Sequence, residues 1–306
     1  MSTLNHYLGC LLGLALGDAL GAPREGGWVE RSTWALLGRT RSGLPRWTDD
    51  TQMSLDLAHS LLAERGVQQD HLAEEFARNY QWSRGYGSGT AKLLKAICAG
   101  KNWRAARFAE YPDGSFGNGA AMRAPVLAMY FYHDLKQLFA ATAASTEVTH
   151  AHPLAISGAE KIAFATYAVL HRYPSKHIYT LLAQHDKRKP LAPEKLQQAY
   201  LWRAKNYFAS PDEVARCLGN GIAAADSVIS AIYVGLRFRT ASFDEMLAFI
   251  AAMKGDVDTI GAMAGALWGS FNGAGSLLGR PVEQSDYLQV VAGRLYTERW
   301  QAITNK

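Results

Sequence analysis

The chain has 306 residues, of which 48% are hydrophobic and 19% are charged. This balance is ordinary for a globular protein and argues against a disordered chain. The net charge of +5 mildly favours anionic ligands, but the one dense basic run, residues 187–189, fits a solvated loop better than a nucleic-acid groove. Three separated cysteines, Cys10, Cys98 and Cys217, show neither zinc-ligand spacing nor a disulfide framework.

Two apolar segments bear on export and membrane insertion. The N-terminus lacks the positive region of a secretory signal, and Asp18 interrupts the apolar stretch behind it, so we expect a cytoplasmic protein. Residues 259–279 carry no charge, and Gly261, Gly265 and Gly269 repeat the spacing of membrane-helix dimers. Because polar residues and further glycines interrupt this segment, we predict a buried helix with close backbone approach and no membrane contact.

Apolar residues recur at helical spacing from end to end, and runs of alternating β-branched residues are absent. In chain order, apolar stripes predict helices at residues 53–62, 72–80, 162–170 and 228–236. Glycine and proline separate these segments, and no repeat of fixed period is visible. We therefore predict an all-α protein of about a dozen helices in a single domain spanning residues 1–306, with an exposed insertion or loop at residues 186–193.

Four consecutive oxygen-bearing side chains, TDDT at residues 48–51, stand directly before an apolar helix. Asp49 and Asp50 are costly to place side by side unless a cation or solvent screens them. One interpretation is a helix cap, because threonine and aspartate accept backbone N–H bonds at a helix start. The other is a cation site, because a cap needs one such residue and magnesium or calcium takes oxygen ligands. This motif alone leaves both interpretations open.

A second acidic motif, GDVDT at residues 255–259, repeats the pattern much later in the chain, again before a helix. An EF-hand calcium loop is excluded because no glutamate follows at the twelfth position. Together the two motifs supply four carboxylates and at least two hydroxyls. That set suits two magnesium ions bridged by shared carboxylates, so the pair predicts a metal site that joins two distant segments.

Three weaker motifs accompany the acidic pair. GDALGAP at residues 17–23 predicts a helix end, with Glu25 on the loop behind it. GNGAAMR at residues 117–123 exposes backbone N–H groups that can bind phosphate, although a plain turn explains it equally well. THAHP at residues 149–153 carries two histidines that would not share a helix face, which favours substrate contact or core packing over metal ligation.

Taken in order, these five motifs resemble the ADP-ribosylglycohydrolase family, which includes dinitrogenase reductase-activating glycohydrolase and the ADP-ribosylarginine hydrolases. The matching stretches are GDALGAPRE, TDDTQM, GNGAAMR, THAHP and GDVDTIGAMAGALWG. Arg24 departs from the usually apolar residue before the acid, and residues 186–193 have no obvious counterpart. The resemblance implies one compact orthogonal helical domain with a binuclear metal cleft.

The resemblance also implies a set of site residues. The ligands of two magnesium ions, with manganese as a substitute, would be Thr48, Asp49, Asp50, Asp256, Asp258 and Thr259. The residues that hold ADP-ribose would be Tyr86, Ser88, Gly117, Asn118, Gly119, Met122 and His152. Asp50 and Glu25 are expected to handle protons, with Glu25 on a mobile loop over the site.

The implied reaction is the magnesium-dependent removal of ADP-ribose from an ADP-ribosylated protein, with arginine as the first choice of modified side chain. Serine-linked and small-molecule conjugates stay open. One alternative is an immunity protein or antitoxin that also blocks an ADP-ribosyltransferase toxin directly, through a surface at residues 28–47 that includes Trp34. An inactive structural relative is a further alternative, against which the intact acidic motifs argue, and an unrelated magnesium phosphohydrolase is another.

Overall fold

The structure is a computed structural model, which describes residues 2–186 and 190–298. Within these residues it contains sixteen α-helices, three short 3₁₀ turns and no β-strand, so the all-α fold class is confirmed. The helices are α1 Leu4–Gly21, α2 Trp28–Leu37, α3 Asp49–Glu64, α4 Gln69–Arg78, α5 Ser88–Cys98, α6 Trp103–Ala106, α7 Ala124–Tyr130, α8 Leu135–Glu147, α9 Pro153–Leu170, α10 Ser175–Asp186, α11 Pro193–Ala204, α12 Pro211–Leu218, α13 Ala224–Arg237, α14 Phe243–Met253, α15 Val257–Asn272 and α16 Ser285–Glu298. The 3₁₀ turns are Ala22–Arg24, Trp82–Arg84 and Phe238–Thr240.

The apolar stripes of the sequence lie in helices. Residues 53–62 fall in α3, 72–80 fall mostly in α4, 162–170 fall in α9 and 228–236 fall in α13. The predicted number of helices is too low because some are very short, such as α6 with four residues and α7 with seven. Segments of one or two turns hold too few apolar residues to show a helical period.

The centre of the fold is an antiparallel helix pair, α1 and α15, whose backbones touch through facing glycines. The facing pairs are Gly9 with Gly269, Gly13 with Gly265 and Gly17 with Gly261. A Cβ atom on Gly13 would lie 2.2 Å from the Gly265 carbonyl oxygen, a separation that no side chain tolerates. The close approach predicted for the glycine-rich helix is therefore confirmed, and its partner is α1.

This glycine seam places the end of α1 beside the start of α15. A Cβ atom on Gly21 would come within 2.6 Å of the Asp258 Cα, so the two chain segments are in direct backbone contact there. Helix α3 begins at the same place, because the Thr48 backbone N–H donates to the Asp18 carboxylate on α1. Three helix ends thus converge, and two of them carry the acidic motifs.

The remaining helices surround this centre. Helix α15 packs against α1, α9 and α13, and its residues 257–270 are buried. In the part of the chain that the structure describes, no helix is long and apolar enough to cross a membrane. Buried apolar residues form one cluster that runs from Tyr7 to Leu295. A single domain over residues 1–306 stays a prediction.

The insertion predicted at residues 186–193 is only partly visible. Residues 187–189 lie outside the described residues. Pro190 is exposed, whereas Leu191 and Ala192 are buried directly before α11. The apolar side chains at the end of this segment therefore belong to the core.

Candidate active site

The TDDT motif forms the first turn of α3. Thr48 is the N-cap residue, and its Oγ1 accepts a hydrogen bond of 3.2 Å from the Asp50 backbone N–H. Asp49 and Asp50 follow as the first two helical residues, where the helix dipole favours negative charge. One residue makes the cap, so the two carboxylates are available for another role. The two interpretations of this motif are compatible.

Asp18, near the end of α1, is a fully buried carboxylate at the same place. It accepts hydrogen bonds from the Thr48 backbone N–H at 2.9 Å, the Thr51 backbone N–H at 3.0 Å and the Thr51 hydroxyl at 2.6 Å. A ligand oxygen of Asp18 also lies within 4.8 Å of those of Asp50 and Asp258. Asp18 therefore holds the start of α3 against α1 and adds a fifth carboxylate to the acidic group.

The GDVDT motif forms the first turn of α15 and faces the TDDT motif. The Asn118 side-chain amide donates to Asp256 Oδ2 at 2.5 Å, and the Thr259 hydroxyl donates to Asp50 Oδ1 at 3.4 Å. Glu25, which is half-buried, forms a second group with Asp256 and Asp258, with ligand atoms within 4.8 Å of one another. Two acidic motifs far apart in sequence thus share one site.

The carboxyl groups of this site, which we call the acidic floor, have raised pKa values. Its members are Asp18, Asp49, Asp50, Asp256 and Asp258. Burial is the main cause, and it raises the pKa to about 6 at Asp18, to about 8 at Asp49 and to about 7 at Asp256. At Asp50 and Asp258 the pKa rises well above its usual value, because burial acts together with neighbouring carboxylates. Such a group requires protons or cations for compensation.

The donor atoms of the floor fit hard divalent cations. Asp50 Oδ2 is buried and has no hydrogen-bond partner. Among the described residues, the two groups of potential ligands at this place, Asp18 with Asp50 and Asp258 and Glu25 with Asp256 and Asp258, consist of carboxylates, and oxygen is the ligand that magnesium prefers. Acidic clusters able to hold metal ions are therefore present where the two motifs meet.

The acidic floor opens into a cavity of about 260 Å³. Five of the residues predicted to hold ADP-ribose line it, namely Ser88, Gly117, Asn118, Gly119 and Met122. The Asn118 backbone N–H donates to the Ile222 carbonyl oxygen at 3.0 Å, which fixes this loop against the chain before α13. Exposed apolar side chains form the upper edge of the cavity, which we call the rim, and they are Tyr111, Phe116 and Ile222.

A model of the ADP-ribosylglycohydrolase family matches residues 1–303. The chain belongs to the ADP-ribosylglycohydrolase family. It is 30% identical to ADP-ribosylhydrolase ARH3 of Mus musculus, over 89% of this chain and 85% of that protein. It is 32% identical to ADP-ribosylhydrolase ARH3 of Danio rerio, over 90% of this chain and 84% of that protein. Among solved structures, one described as an ADP-ribosylglycohydrolase-related protein complex superposes with a TM-score of 0.70 at 25% identity, covering 97% of this chain and 98% of that one.

The family predicted from the five motifs is thereby confirmed, and with it the coarse activity, hydrolysis of ADP-ribose conjugates. Five of the predicted metal ligands of this glycohydrolase line the cavity, namely Asp49, Asp50, Asp256, Asp258 and Thr259. The sixth, Thr48, does not line the cavity: it is 1% exposed, and its hydroxyl caps α3. Glu25 lines the cavity from the loop behind α1.

Two of the residues predicted to hold ADP-ribose, Tyr86 and His152, do not line this cavity. The Tyr86 ring packs against Tyr80, with 4.9 Å between ring centroids, and its hydroxyl is buried. His152 is the N-cap of α9, and its Nδ1 accepts the Leu154 backbone N–H at 3.1 Å. Pro153 is the first residue of α9, a position that proline favours, so the preceding His152 becomes the N-cap residue.

The cavity wall contains His150 instead, a residue that the sequence motif included but did not single out. A Cβ atom on Gly119 would lie 2.8 Å from the His150 ring, so the glycine is what allows the loop to pass this histidine. Burial, with nearby Arg123 as a second cause, lowers the pKa of His150 to about 3. The imidazole is therefore neutral in the folded protein at ordinary pH.

Arg123 supports the loop from below. It is fully buried and donates to the Gly119 carbonyl oxygen at 2.6 Å, to the Ser145 carbonyl oxygen at 3.1 Å and to the Thr149 hydroxyl at 2.9 Å. These bonds tie the glycine loop to α8 and to the segment that carries His150.

Asp18 and Arg123 were not among the predicted site residues. The sequence signal for both was a charged residue within an otherwise apolar, glycine-rich segment, since buried charges require specific partners.

Proposed function

We propose that this protein hydrolyses the glycosidic bond that joins ADP-ribose to a protein side chain. One observation carries the proposal: the carboxylates of the acidic floor and the glycine loop at residues 117–119 line the same cavity. Bond cleavage at a ribose passes through an oxocarbenium-like state, which carboxylates assist by activating water and by stabilising positive charge. The floor supplies the carboxylates, and the loop suits the diphosphate.

We assign two magnesium ions to the acidic floor, with manganese as a substitute. The proposed ligands are Thr48, Asp49, Asp50, Asp256, Asp258 and Thr259. When bound, such ions orient ribose hydroxyls and lower the pKa of a coordinated water. The raised pKa values of the floor support this assignment, because cations would compensate the carboxylate charges that burial makes unfavourable.

Proton handling is assigned to Glu25 and Asp50. Glu25 is half-buried, stands on the loop at the side of the cavity and lies close to Asp256 and Asp258. It can therefore accept a proton from a water positioned above the floor. Asp50 has one oxygen held by the Thr259 hydroxyl and the other without a hydrogen-bond partner, so the second oxygen can orient that water or a cation.

The substrate orientation follows from the polarity of the cavity. Ser88 opens α5, whose N-terminus favours phosphate oxygens, and it stands on the wall beside the glycine loop. Phe116 is 50% exposed and Ile222 is 72% exposed at the rim, where a flat apolar surface suits the adenine base. ADP-ribose would thus lie with its base at the rim and its distal ribose over the floor.

The modified side chain is the finer part of the proposal. Arginine is the acceptor we propose to test first, with serine-linked and small-molecule conjugates as alternatives. The deciding experiment measures release of free ADP-ribose from arginine-modified and serine-modified protein, with magnesium and with a chelator. We expect release that depends on magnesium or manganese. Full activity in the presence of the chelator, or in Asp258→Asn, would contradict the site assignment.

Direct binding of a transferase is a separate proposal with less structural support. Trp34, which was expected to contribute to a contact surface, is 8% exposed and packs beside Gly85. Arg39 and Arg41 remain exposed on the same segment. Co-purification of a transferase with both the wild-type chain and an inactive Asp258→Asn variant would support a blocking role that is independent of catalysis.

A further inference from the structure

A second cluster of metal-ligating side chains lies between α3 and α4, and the proposed glycohydrolase reaction does not use it. Asp56 and His59 are three residues apart on α3 and share one face, and Glu75 faces them from α4. They line a separate cavity of about 240 Å³. No residue that lines this cavity also lines the active-site cavity.

The Asp56 carboxylate has one committed oxygen and one free oxygen. Oδ1 accepts hydrogen bonds of 2.9 Å from the side-chain amides of Gln52 and Asn79. Oδ2 is buried without a hydrogen-bond partner, although Asp56 is 0% exposed. An unpartnered carboxylate oxygen at such depth costs free energy unless a proton or a cation compensates it. Burial accordingly raises the pKa of Asp56 to about 8.

His59 is oriented as a metal ligand would be. Its Nε2 is hydrogen-bonded to the Tyr287 hydroxyl on α16 at 2.5 Å, which leaves Nδ1 directed at the carboxylates. His59 Nδ1 lies 3.9 Å from Glu75 Oε1. A hydrogen bond at the second ring nitrogen holds the ring orientation of metal-binding histidines, and when Nε2–H donates to the tyrosine hydroxyl, Nδ1 is left with its lone pair for a metal. Burial, as the main cause, also lowers the pKa of His59, which favours the neutral imidazole that ligation requires.

Glu75 is held in a matching way. Its Oε2 pairs with Arg78 at 2.8 Å and its Oε1 accepts the Asn79 amide at 2.9 Å, so the carboxylate is fixed with one oxygen toward His59. The ligand atoms of the three residues all lie within 4.8 Å of one another. A metal at about 2.1 Å from each ligand needs these atoms up to about 4 Å apart, so a small side-chain rotation completes the geometry.

We propose that Asp56, His59 and Glu75 bind one divalent transition-metal ion of the zinc class, at a site separate from the acidic floor. The imidazole decides the metal class, because a nitrogen ligand suits zinc and its neighbours in the periodic table, whereas the all-oxygen floor suits magnesium. The adjoining cavity admits water to complete the coordination. The ion would link α3 to α4 and, through the Tyr287 hydroxyl, to α16.

The test measures bound metal in the full-length, metal-stripped protein rather than activity. Because zinc can also enter the acidic floor, zinc is titrated into an Asp258→Asn background by calorimetry, and the retained metal is counted after gel filtration. We expect His59→Gln or Asp56→Asn, added to Asp258→Asn, to remove one zinc equivalent from the number that Asp258→Asn alone retains. The matched control is His177→Gln, which removes an exposed histidine on α10 and leaves the equivalent in place.

Tyr287→Phe gives a graded readout, because it removes only the bond that orients His59. We expect zinc affinity to fall by about tenfold. Melting curves without metal show whether each variant is folded, and if Asp56→Asn is unfolded, the His59→Gln and Tyr287→Phe variants still decide. Equal zinc binding in Asp258→Asn with and without His59→Gln would overturn the proposal, as would no zinc in Asp258→Asn. Either result leaves the proposed hydrolase function intact.

Discussion

The acidic floor and the rim are two walls of one cavity with opposite construction. The floor is held by helix ends that meet at the glycine seam, and its carboxylates are buried or half-buried. The rim consists of side chains that are 37% to 72% exposed and are carried by loops. The buried carboxylates of the floor therefore lower the stability of the metal-free protein. Substitutions in the exposed rim can change contacts with the substrate and have little effect on stability.

The largest effect is expected at the glycine seam that supports the floor. Gly13→Ala places a Cβ atom 2.2 Å from the Gly265 carbonyl oxygen, so α1 and α15 must separate. We expect a loss of at least about 3 kcal/mol in the free energy of unfolding, measured by chemical denaturation. Gly293→Ala on α16 is the matched control, because nothing lies within 4 Å of its added Cβ. There we expect a gain of about 0.5–1 kcal/mol.

The next largest effect is expected in the acidic floor, where one substitution should lower activity and raise the stability of the metal-free protein. Asp258→Asn removes one buried carboxylate whose pKa lies well above its usual value, so ionising it costs stability in metal-free protein. We expect activity to fall by more than about a hundredfold, while the metal-free variant melts above the metal-free wild type at pH 8. Asp212→Asn, at an exposed residue on α12, should change neither. A variant that is both inactive and less stable would show that the floor is primarily structural.

At the rim, in contrast to the floor, we expect a substitution to weaken substrate binding without changing stability. Phe116→Ala should raise KM by about tenfold or more through lost stacking, with an unchanged melting temperature because the ring is half-exposed. Val290→Ala, at a residue that is 57% exposed on α16, is the control for surface truncation. Kinetics with an ADP-ribosylated protein give the measurement. A lower kcat at constant KM would mean that Phe116 acts on the reaction step rather than on substrate binding.

The last effect appears only on acidification and concerns His150 in the cavity wall. Its pKa is about 3 in the folded protein against 6.5 without burial, so below pH 6.5 the unfolded chain binds a proton that the folded chain does not. Wild-type protein should therefore lose stability relative to His150→Gln by about 1.4 kcal/mol per pH unit as the pH falls from 6.5. Denaturation curves at pH 7, 6 and 5 test this. Parallel curves for the two proteins would show that His150 is not buried as a neutral ring.

Some features of the site were determined by the sequence because they depend on local interactions. Helical spacing specified the all-α class, and the acidic motifs TDDT and GDVDT were identified at helix starts because caps and dipoles act within one turn. The glycine loop at residues 117–119 was also identified, because its backbone freedom is a property of the residues themselves.

Other features were decided only by packing between distant segments. The partner of α15 is α1, so Asp18 enters the floor beside Asp50 and Asp258, which lie far from it in sequence. His150 rather than His152 reaches the cavity, because Pro153 begins α9 and commits the preceding residue to the cap. Periodicity and motifs locate a residue along its own helix, but the side of that helix that meets the substrate depends on which other helices surround it.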